Sequence, residues 1–329
     1  GGDHAPAVVV GGALLACQAD PALDLLLVGP RDTADEILRA VDPLHRGRVT
    51  VRVPVDGETS VHTAVRAVLD GAADAVVSAG STGATVRAAV RGLGRWPGVR
   101  RPALVATLPT VSGRVLLLDA GATVDPSAAA LVGYACLGAA YAAVHDVVAP
   151  RVGLLSIGTE SGKGDRVRRA AAPLLAELCL PAAGRYVGLV EGHEVVLGGH
   201  ADVVVTDGFT GNVLLKGIEA AHALAPGQLS ADLPPRAAAL LGVAGTVVVC
   251  HGAATARDLA SGIALAVRLH RHAAVAATAE LFDQPASLDC PAPLDQPASL
   301  DQSADSFDQA HPGGSGGPAP GISEHEVSS

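Results

Sequence analysis

Methionine is absent from the 329 residues, lysine occurs only at 163 and 216, asparagine only at 212, and aromatic residues make up 2%. Without Met the chain starts without an initiator. With few aromatics, a core must be built from Leu, Val, Ile and Ala, which are plentiful enough for a sizeable one. A basic excess is also missing. Residues 1–280 hold 23 Lys and Arg against 25 Asp and Glu, a net charge of −2. That balance excludes a nucleic-acid-binding domain, which carries clustered positive charge. No apolar run reaches the roughly 18–20 residues of a membrane span, and no basic segment followed by an apolar one marks a signal peptide. The five Cys (17, 136, 179, 250, 290) lack paired spacing, so they read as reduced thiols of a cytosolic protein, with no disulfide frame or zinc site. The twelve His are dispersed, without metal-ligand spacing. No Gly-x-Ser-x-Gly elbow or Cys–His pair supports a covalent nucleophile.

What is present is a repeated pattern. Apolar runs of four to six residues at Leu25–Val28, Ala75–Ser78, Val115–Asp119, Val152–Ile157, Asp202–Thr206 and Val247–Cys250 each end in a glycine-rich turn. Such continuous runs are how strands buried on both faces of a parallel sheet look. Helical stretches lie between them, at Glu36–Val41, Val61–Gly71, Thr82–Gly92, Ser127–Val144 and Asp258–Ala277. The alternation predicts a three-layer α/β/α sandwich with a mostly parallel sheet over residues 1–281. In such sheets ligands bind at the carboxyl ends of strands, where the glycine-rich turns fall. Residues 282–329 differ. They repeat DQPASLD at 283–289 and 295–301, continue into GGSGGPAPG, and carry acids without Lys or Arg. This composition reads as a disordered acidic tail.

The turns are the candidate sites. In GGDHAP (1–6), two glycines place Asp3 and His4 on a loop, although Asp3 could equally cap the following helix. In SAGSTGA (78–84), Gly80, Ser81, Thr82 and Gly83 precede a helix whose N-terminal amides favour an anion. On that helix Arg87, Arg91 and Arg95 recur at four-residue spacing, as a docking face for an acidic partner or as ordinary surface charge. GTESGKGD (158–165) follows a strand and carries Glu160, Lys163 and Gly164. It is not a nucleotide-binding P-loop, because its glycine spacing is short and Gly, not Ser or Thr, follows the lysine. A lysine on such a turn suits an inorganic phosphate or a developing oxyanion. In DGFTGNVLLK (207–216), Asp207, Gly208 and Gly211 lead to Asn212, whose amide can donate to a carbonyl oxygen or serve as a cap. No G-x-G-x-x-G follows a strand with an acid about 20 residues on, which argues against a dehydrogenase.

Taken in order, these motifs resemble the bacterial phosphate acyltransferases of phospholipid synthesis, which make acyl phosphate from acyl-acyl carrier protein. The matching stretches also include RRPAL (100–104), LLLDAGATVD (116–125), PRVGLLSIGTESGKGD (150–165), YVGLVEGHEV (186–195), DVVVTDGFTGNVLLK (202–216) and ALLGVAGTVVVCHGAA (239–254). The resemblance runs collinearly from residue 1 to about 272. It implies a fold like the isocitrate and isopropylmalate dehydrogenases, acyl transfer to inorganic phosphate without cofactor or metal, a homodimer, and a loose attachment of a cytoplasmic enzyme to the inner face of the membrane. It implies catalysis by Lys163 and Asn212. It also implies substrate contacts from Asp3, His4, Gly80, Ser81, Thr82, Gly83, Asp119, Gly121, Glu160, Gly164, Glu191, Asp207, Gly208 and Gly211. Acyl carrier protein would dock on Arg87, Arg91 and Arg95. The chain departs from the family pattern where Ser81, Thr123, Asp165 and Leu189 stand at positions usually held by Asn. Helical segments are missing between Val53 and Glu58 and between Lys216 and Ala239, the second being the region used in the family for dimer and membrane contact. The family also has a short strand ending in Asp-Ala-Met before GGDHAP. Two other readings are open: an inactive paralogue that binds carrier protein or acyl chains, and a phosphotransacetylase-type enzyme acting on acyl-coenzyme A.

Overall fold

A computed structural model describes residues 2–31, 41, 47–224 and 237–284. The chain alternates helices and strands in the order α1 (Ala7–Ala19), β1 (Leu25–Val28), β2 (Val49–Arg52), α2 (Ser60–Leu69), β3 (Ala75–Ser78), α3 (Thr82–Gly92), β4 (Ala103–Thr110), β5 (Gly113–Leu118) and α4 (Ala128–Val144). It continues with β6 (Arg151–Leu155), α5 (Arg166–Ala176), β7 (Arg185–Val190), α6 (Gly192–Leu197), β8 (Val203–Val205), α7 (Gly208–Leu224), β9 (Ala237–Leu241), β10 (Thr246–Cys250), α8 (Ala256–Arg271) and α9 (Ala274–Asp283). Eight strands form one sheet in the order β3-β10-β9-β4-β5-β8-β6-β7, and β1 pairs with β2 separately. Four of the seven described pairings within the eight-stranded sheet are parallel, so the sheet is mixed and mostly parallel, as expected. The antiparallel pairings are confined to β10-β9, β9-β4 and β4-β5. Because of them, β3 and β10 run opposite to the block β5-β8-β6-β7.

Helices cover both faces and complete the three layers. On one face Leu131 and Tyr134 of α4, Leu175 of α5 and Leu259 and Ile263 of α8 pack on Val105, Leu118, Leu154 and Val203. On the other, Val65 of α2, Ala88 and Ala89 of α3 and Leu215 and Ile218 of α7 pack on Leu104, Leu108, Leu117 and Val204. Side chains that alternate along β4 and β5 feed the two cores in turn, the period-two signature of a strand. Several helices start on side-chain caps: Ser127 accepts from the Ala130 amide, Asp165 from Arg168, and Thr255 and Asp258 form a reciprocal capping box.

The structure refines several expectations. The helix expected over 258–277 is two helices, broken where Ala273 takes a left-handed conformation with φ 49°. Helix α9 runs to Asp283, past the expected domain boundary, and Phe282 meets Trp96 with ring centroids 6.3 Å apart. The expected helix over 36–41 and the tail from 285 onward lie outside the described residues. Strand β1 is not part of the main sheet. A cavity of about 970 Å³ separates it from β3 and is lined by both strands along their lengths, and no described strand fills it. Cys17, Cys136 and Cys250 are free, but Cys179 is disulfide-bonded. That corrects the expectation of reduced thiols throughout, because sequence spacing says nothing of which sulfurs the fold brings together.

Candidate functional site

The turn after β5 is built around Asp119. Its carboxylate is fully buried and accepts the backbone amides of Leu104, Gly121, Ala122 and Thr123 at 2.7–3.1 Å. Burial pushes its pKa up, opposed by these amide hydrogen bonds. With three of these amides on Oδ1 and one on Oδ2, the carboxylate shapes the turn and ties it to the start of β4. Asp207 plays a similar part after β8. Its carboxylate takes the Thr210 amide and hydroxyl, each at 2.8 Å, and the Arg168 guanidinium at 2.6 Å. Burial opposes its ionisation, yet the Thr210 and Arg168 hydrogen bonds hold the carboxyl below the usual carboxylate range.

Arg168 is the residue that sequence reasoning missed. It is 8% exposed and donates to Leu155 O at the end of β6, to Asp165 at the start of α5, and to Thr206 and Asp207 at the end of β8, at 2.6–2.9 Å. One guanidinium thus ties together the turn after β6 and the turn after β8. The available signal was the three-residue spacing of Asp165 and Arg168, which places the pair on one turn of helix.

Asn212 lies in the first turns of α7, where its side-chain amide donates to Ala120 O at 3.2 Å. With Gly121 and Gly208 it lines one end of a cavity of about 390 Å³ under α7. The helix can sit this close to the Asp119 turn only because residue 211 is Gly, where a Cβ would collide with the Asp119 carbonyl. Asn212, Lys216 and Glu219 fall at i, i+4 and i+7 of α7, so one helical face lines the cavity. At the other end are Thr82, His251 and Gly252. There His251 Nε2 lies 3.2 Å from Glu219 Oε1, both side chains less than a quarter exposed. The cavity therefore joins turns from the two oppositely directed blocks of the sheet. Cys250 also lines it, with its thiol pushed up to about 12 by burial, so it stays neutral and unreactive.

The remaining expected residues sort by position. Lys163 and Glu160 are exposed on the turn after β6, with Nζ and Oε2 3.9 Å apart, and neither lines the cavity; the lysine that does is Lys216. Beside Lys163, Gly164 packs against Ser156, whose buried hydroxyl has no hydrogen-bond partner. Glu191 caps α6 in a reciprocal capping box with Glu194. Asp3 and His4 are exposed, with the Asp3 amide on Gly252 O at 2.8 Å. Gly80 donates its amide to Ser78 at 3.2 Å, and Ser81 and Gly83 start α3 beside Thr82. Arg87 and Arg91 are exposed on α3, but Arg95 lies beyond the helix end at Gly92 and donates to Arg100 O at 2.7 Å, so the three do not share one helical face.

Residues 1–232 match a family described as fatty acid synthesis protein. A phosphate acyltransferase from Thermobifida fusca is 40% identical over 309 residues, covering 82% of this chain and 85% of that protein. One from Exiguobacterium sp. is 41% identical over 265 residues, covering 73% and 77%. Among solved structures, a branched-chain phosphotransacylase from Enterococcus faecalis has a TM-score of 0.60 at 16% identity, covering 83% of this chain and 97% of that one. The EutD phosphotransacetylase from Staphylococcus aureus has a TM-score of 0.54 at 19% identity, covering 83% and 90%; both show a shared fold. With the matched segment and these relatives spanning most of its length, the chain belongs to the bacterial phosphate acyltransferase family.

Proposed function

We propose that this enzyme forms acyl phosphate from a long-chain acyl-acyl carrier protein and inorganic phosphate, with Lys163 and Asn212 as its catalytic groups. The observation that carries the reading is the meeting of Gly121, Gly208 and Asn212 at one end of an otherwise largely apolar cavity. A phosphate oxygen attacks the thioester carbonyl carbon. The carbon–sulfur bond breaks, and the proton of hydrogen phosphate ends on the departing sulfur. Asn212 orients the thioester or donates to the tetrahedral oxyanion. Lys163 stands on the same sheet edge, two strands from β5. Its ammonium is 3.9 Å from Glu160, beyond hydrogen-bond reach, so the side chain can turn toward a phosphate. Arg87 and Arg91 offer an acidic carrier protein a positive face next to the Thr82 end.

The cytoplasmic placement, homodimer and peripheral membrane contact rest on the family resemblance. Among the described residues no helix is long and apolar enough to cross a membrane, and the segment 225–236 lies outside them. The decisive experiment is acyl-phosphate formation from long-chain acyl-carrier protein and phosphate, with acyl-coenzyme A in a parallel arm. Activity with the carrier thioester that Lys163→Ala lowers at least ~100-fold, with unchanged unfolding, supports the reading. Preference for the coenzyme A thioester assigns a phosphotransacetylase-type activity. Binding of carrier protein without turnover assigns an inactive paralogue.

A further inference from the structure

The chemistry proposed above occupies one end of the cavity under α7 and leaves most of its length unexplained. Apart from Lys216, which shares the α7 face with Asn212 and Glu219, and Thr82, Thr107 and His251, the lining of that remainder is apolar. Its floor is the sheet face where Ala238 pairs with Val249 and where Ala106 follows the Val105–Ala239 pair. Its roof is Leu215 and Ile218 of α7. On the same face Leu104, Leu108, Leu117 and Leu240 fill the space between helix and sheet, whereas Ala106 and Ala238 leave it open. Protein interiors otherwise pack without voids of this size. An apolar-lined space gives water few partners and favours an apolar guest.

We propose that this space holds the acyl chain of the thioester, and that Ala106 and Ala238 set the length it accepts. The inference rests on the acyltransferase reading for the identity of the substrate, not for the existence of the site. With the carbonyl carbon at Asn212, the chain runs beneath α7 toward the Glu219–His251 pair. Seven residues of helix separate Asn212 from Glu219, about 10 Å. The volume of about 390 Å³ accommodates on the order of a dozen groups the size of a water or methylene, at roughly 30 Å³ each. Glu219 and His251, joined across the far end, close the apolar stretch with a polar barrier that a terminal methyl does not favour. The other candidate occupant, the phosphopantetheine arm of a carrier protein, carries amides that need partners, and the floor of Ala106, Ala238 and Val249 offers no side-chain hydrogen-bonding group.

The test has two readouts. In the first, acyl-phosphate formation is measured with carrier-protein thioesters of six and twelve carbons, the longer matching the dozen or so groups that the space accommodates. Ala238→Leu and, as a second variant, Ala106→Val are expected to lower the ratio of kcat/KM for the long chain over the short one by about tenfold or more, since pocket methylenes discriminate on that scale. Activity on the short chain is retained. An equal fall on both lengths would place the pantetheine arm there and overturn the proposal, as would an unchanged ratio in both variants. In the second, fatty acids of the same two lengths are added to the wild-type protein and thermal unfolding is followed. The long acid is expected to raise Tm, and Ala238→Leu to abolish that rise. If the wild type makes no acyl phosphate yet shows this length-dependent rise, the enzymatic reading falls and the acyl site stands. If no rise occurs with either acid, the acyl site falls, whatever the activity.

Discussion

Two glycine-rich turns on the same sheet edge, after β6 and after β8, look alike in sequence and differ in what the fold does with them. The first, GTESGKGD, keeps Lys163 and Glu160 in solvent and spends Asp165 on capping α5. The second, DGFTGN, spends Asp207 on Thr210 and Arg168 and sends Asn212 into the cavity. The difference lies in the element that follows. Helix α5 leads away from the cavity, whereas α7 lies over β4 and forms its roof. Polar residues on α7 therefore line the cavity at helical spacing, and polar residues on the first turn reach it only by side-chain motion.

The largest effect is expected where the two turns are joined. Arg168→Met leaves the part-buried Asp207 without its ion-pair partner and is expected to destabilise the fold by about 3–5 kcal/mol in urea unfolding. A loss below about 1 kcal/mol would mean that the turns are held independently. Next comes the contrast between lysines. Asn212→Ala and Lys163→Ala are each expected to remove about 2.7–4 kcal/mol of transition-state stabilisation, read as kcat, while Lys216→Ala changes kcat by a few-fold only. The reverse order for the lysines would transfer the phosphate-holding role to the residue that already lines the cavity. Gly211→Ala follows. The added methyl meets the Asp119 carbonyl, which the four amide hydrogen bonds hold in place, so a loss of about 1–3 kcal/mol is expected from overpacking. Calorimetry of Gly211→Ala beside Gly162→Ala in the first turn separates steric contact from backbone strain, because a Cβ at Gly162 meets nothing within 4 Å.

The smallest effect is the acid response. The Asp207 carboxyl is held below its ordinary value, so its contribution is complete above the unfolded pKa of about 3.9 and is lost as pH falls through the lower folded value. Stability should therefore fall below about pH 4, and Asp207→Asn should be less stable above that range while losing less within it. Urea midpoints measured from pH 6 downward check this. Parallel curves for the two proteins would count against a depressed Asp207.

The alternation of apolar runs and glycine-rich turns made the α/β class legible, since strands buried on both faces must be apolar throughout. Leu25–Val28, Ala75–Ser78 and Thr82–Gly92 fall at the residues expected. Strand β9 was not legible. Its sequence AAALL has the composition of a helix, and it is a strand because all five residues are buried between β4 and β10, where tertiary pairing overrides weak local propensity. Asn212 could be singled out by rarity and by its place on a turn. Arg168 could not, because its role depends on two turns distant in sequence, after β6 and after β8, meeting at one guanidinium.

The sequence by itself determined the family, the glycine-rich turns and the residues able to bear chemistry, because these follow from residue type and local order. Only the tertiary structure decided that the carboxylates of Asp119 and Asp207 hold turns, that Lys216 and not Lys163 lines the cavity, and that Ala106 and Ala238 leave space beneath α7. Each of these is a question of which groups meet across strands far apart in the chain. The reversal of strand direction at β4 and β9 settles it, by bringing turns from opposite ends of the sheet to the two ends of one cavity.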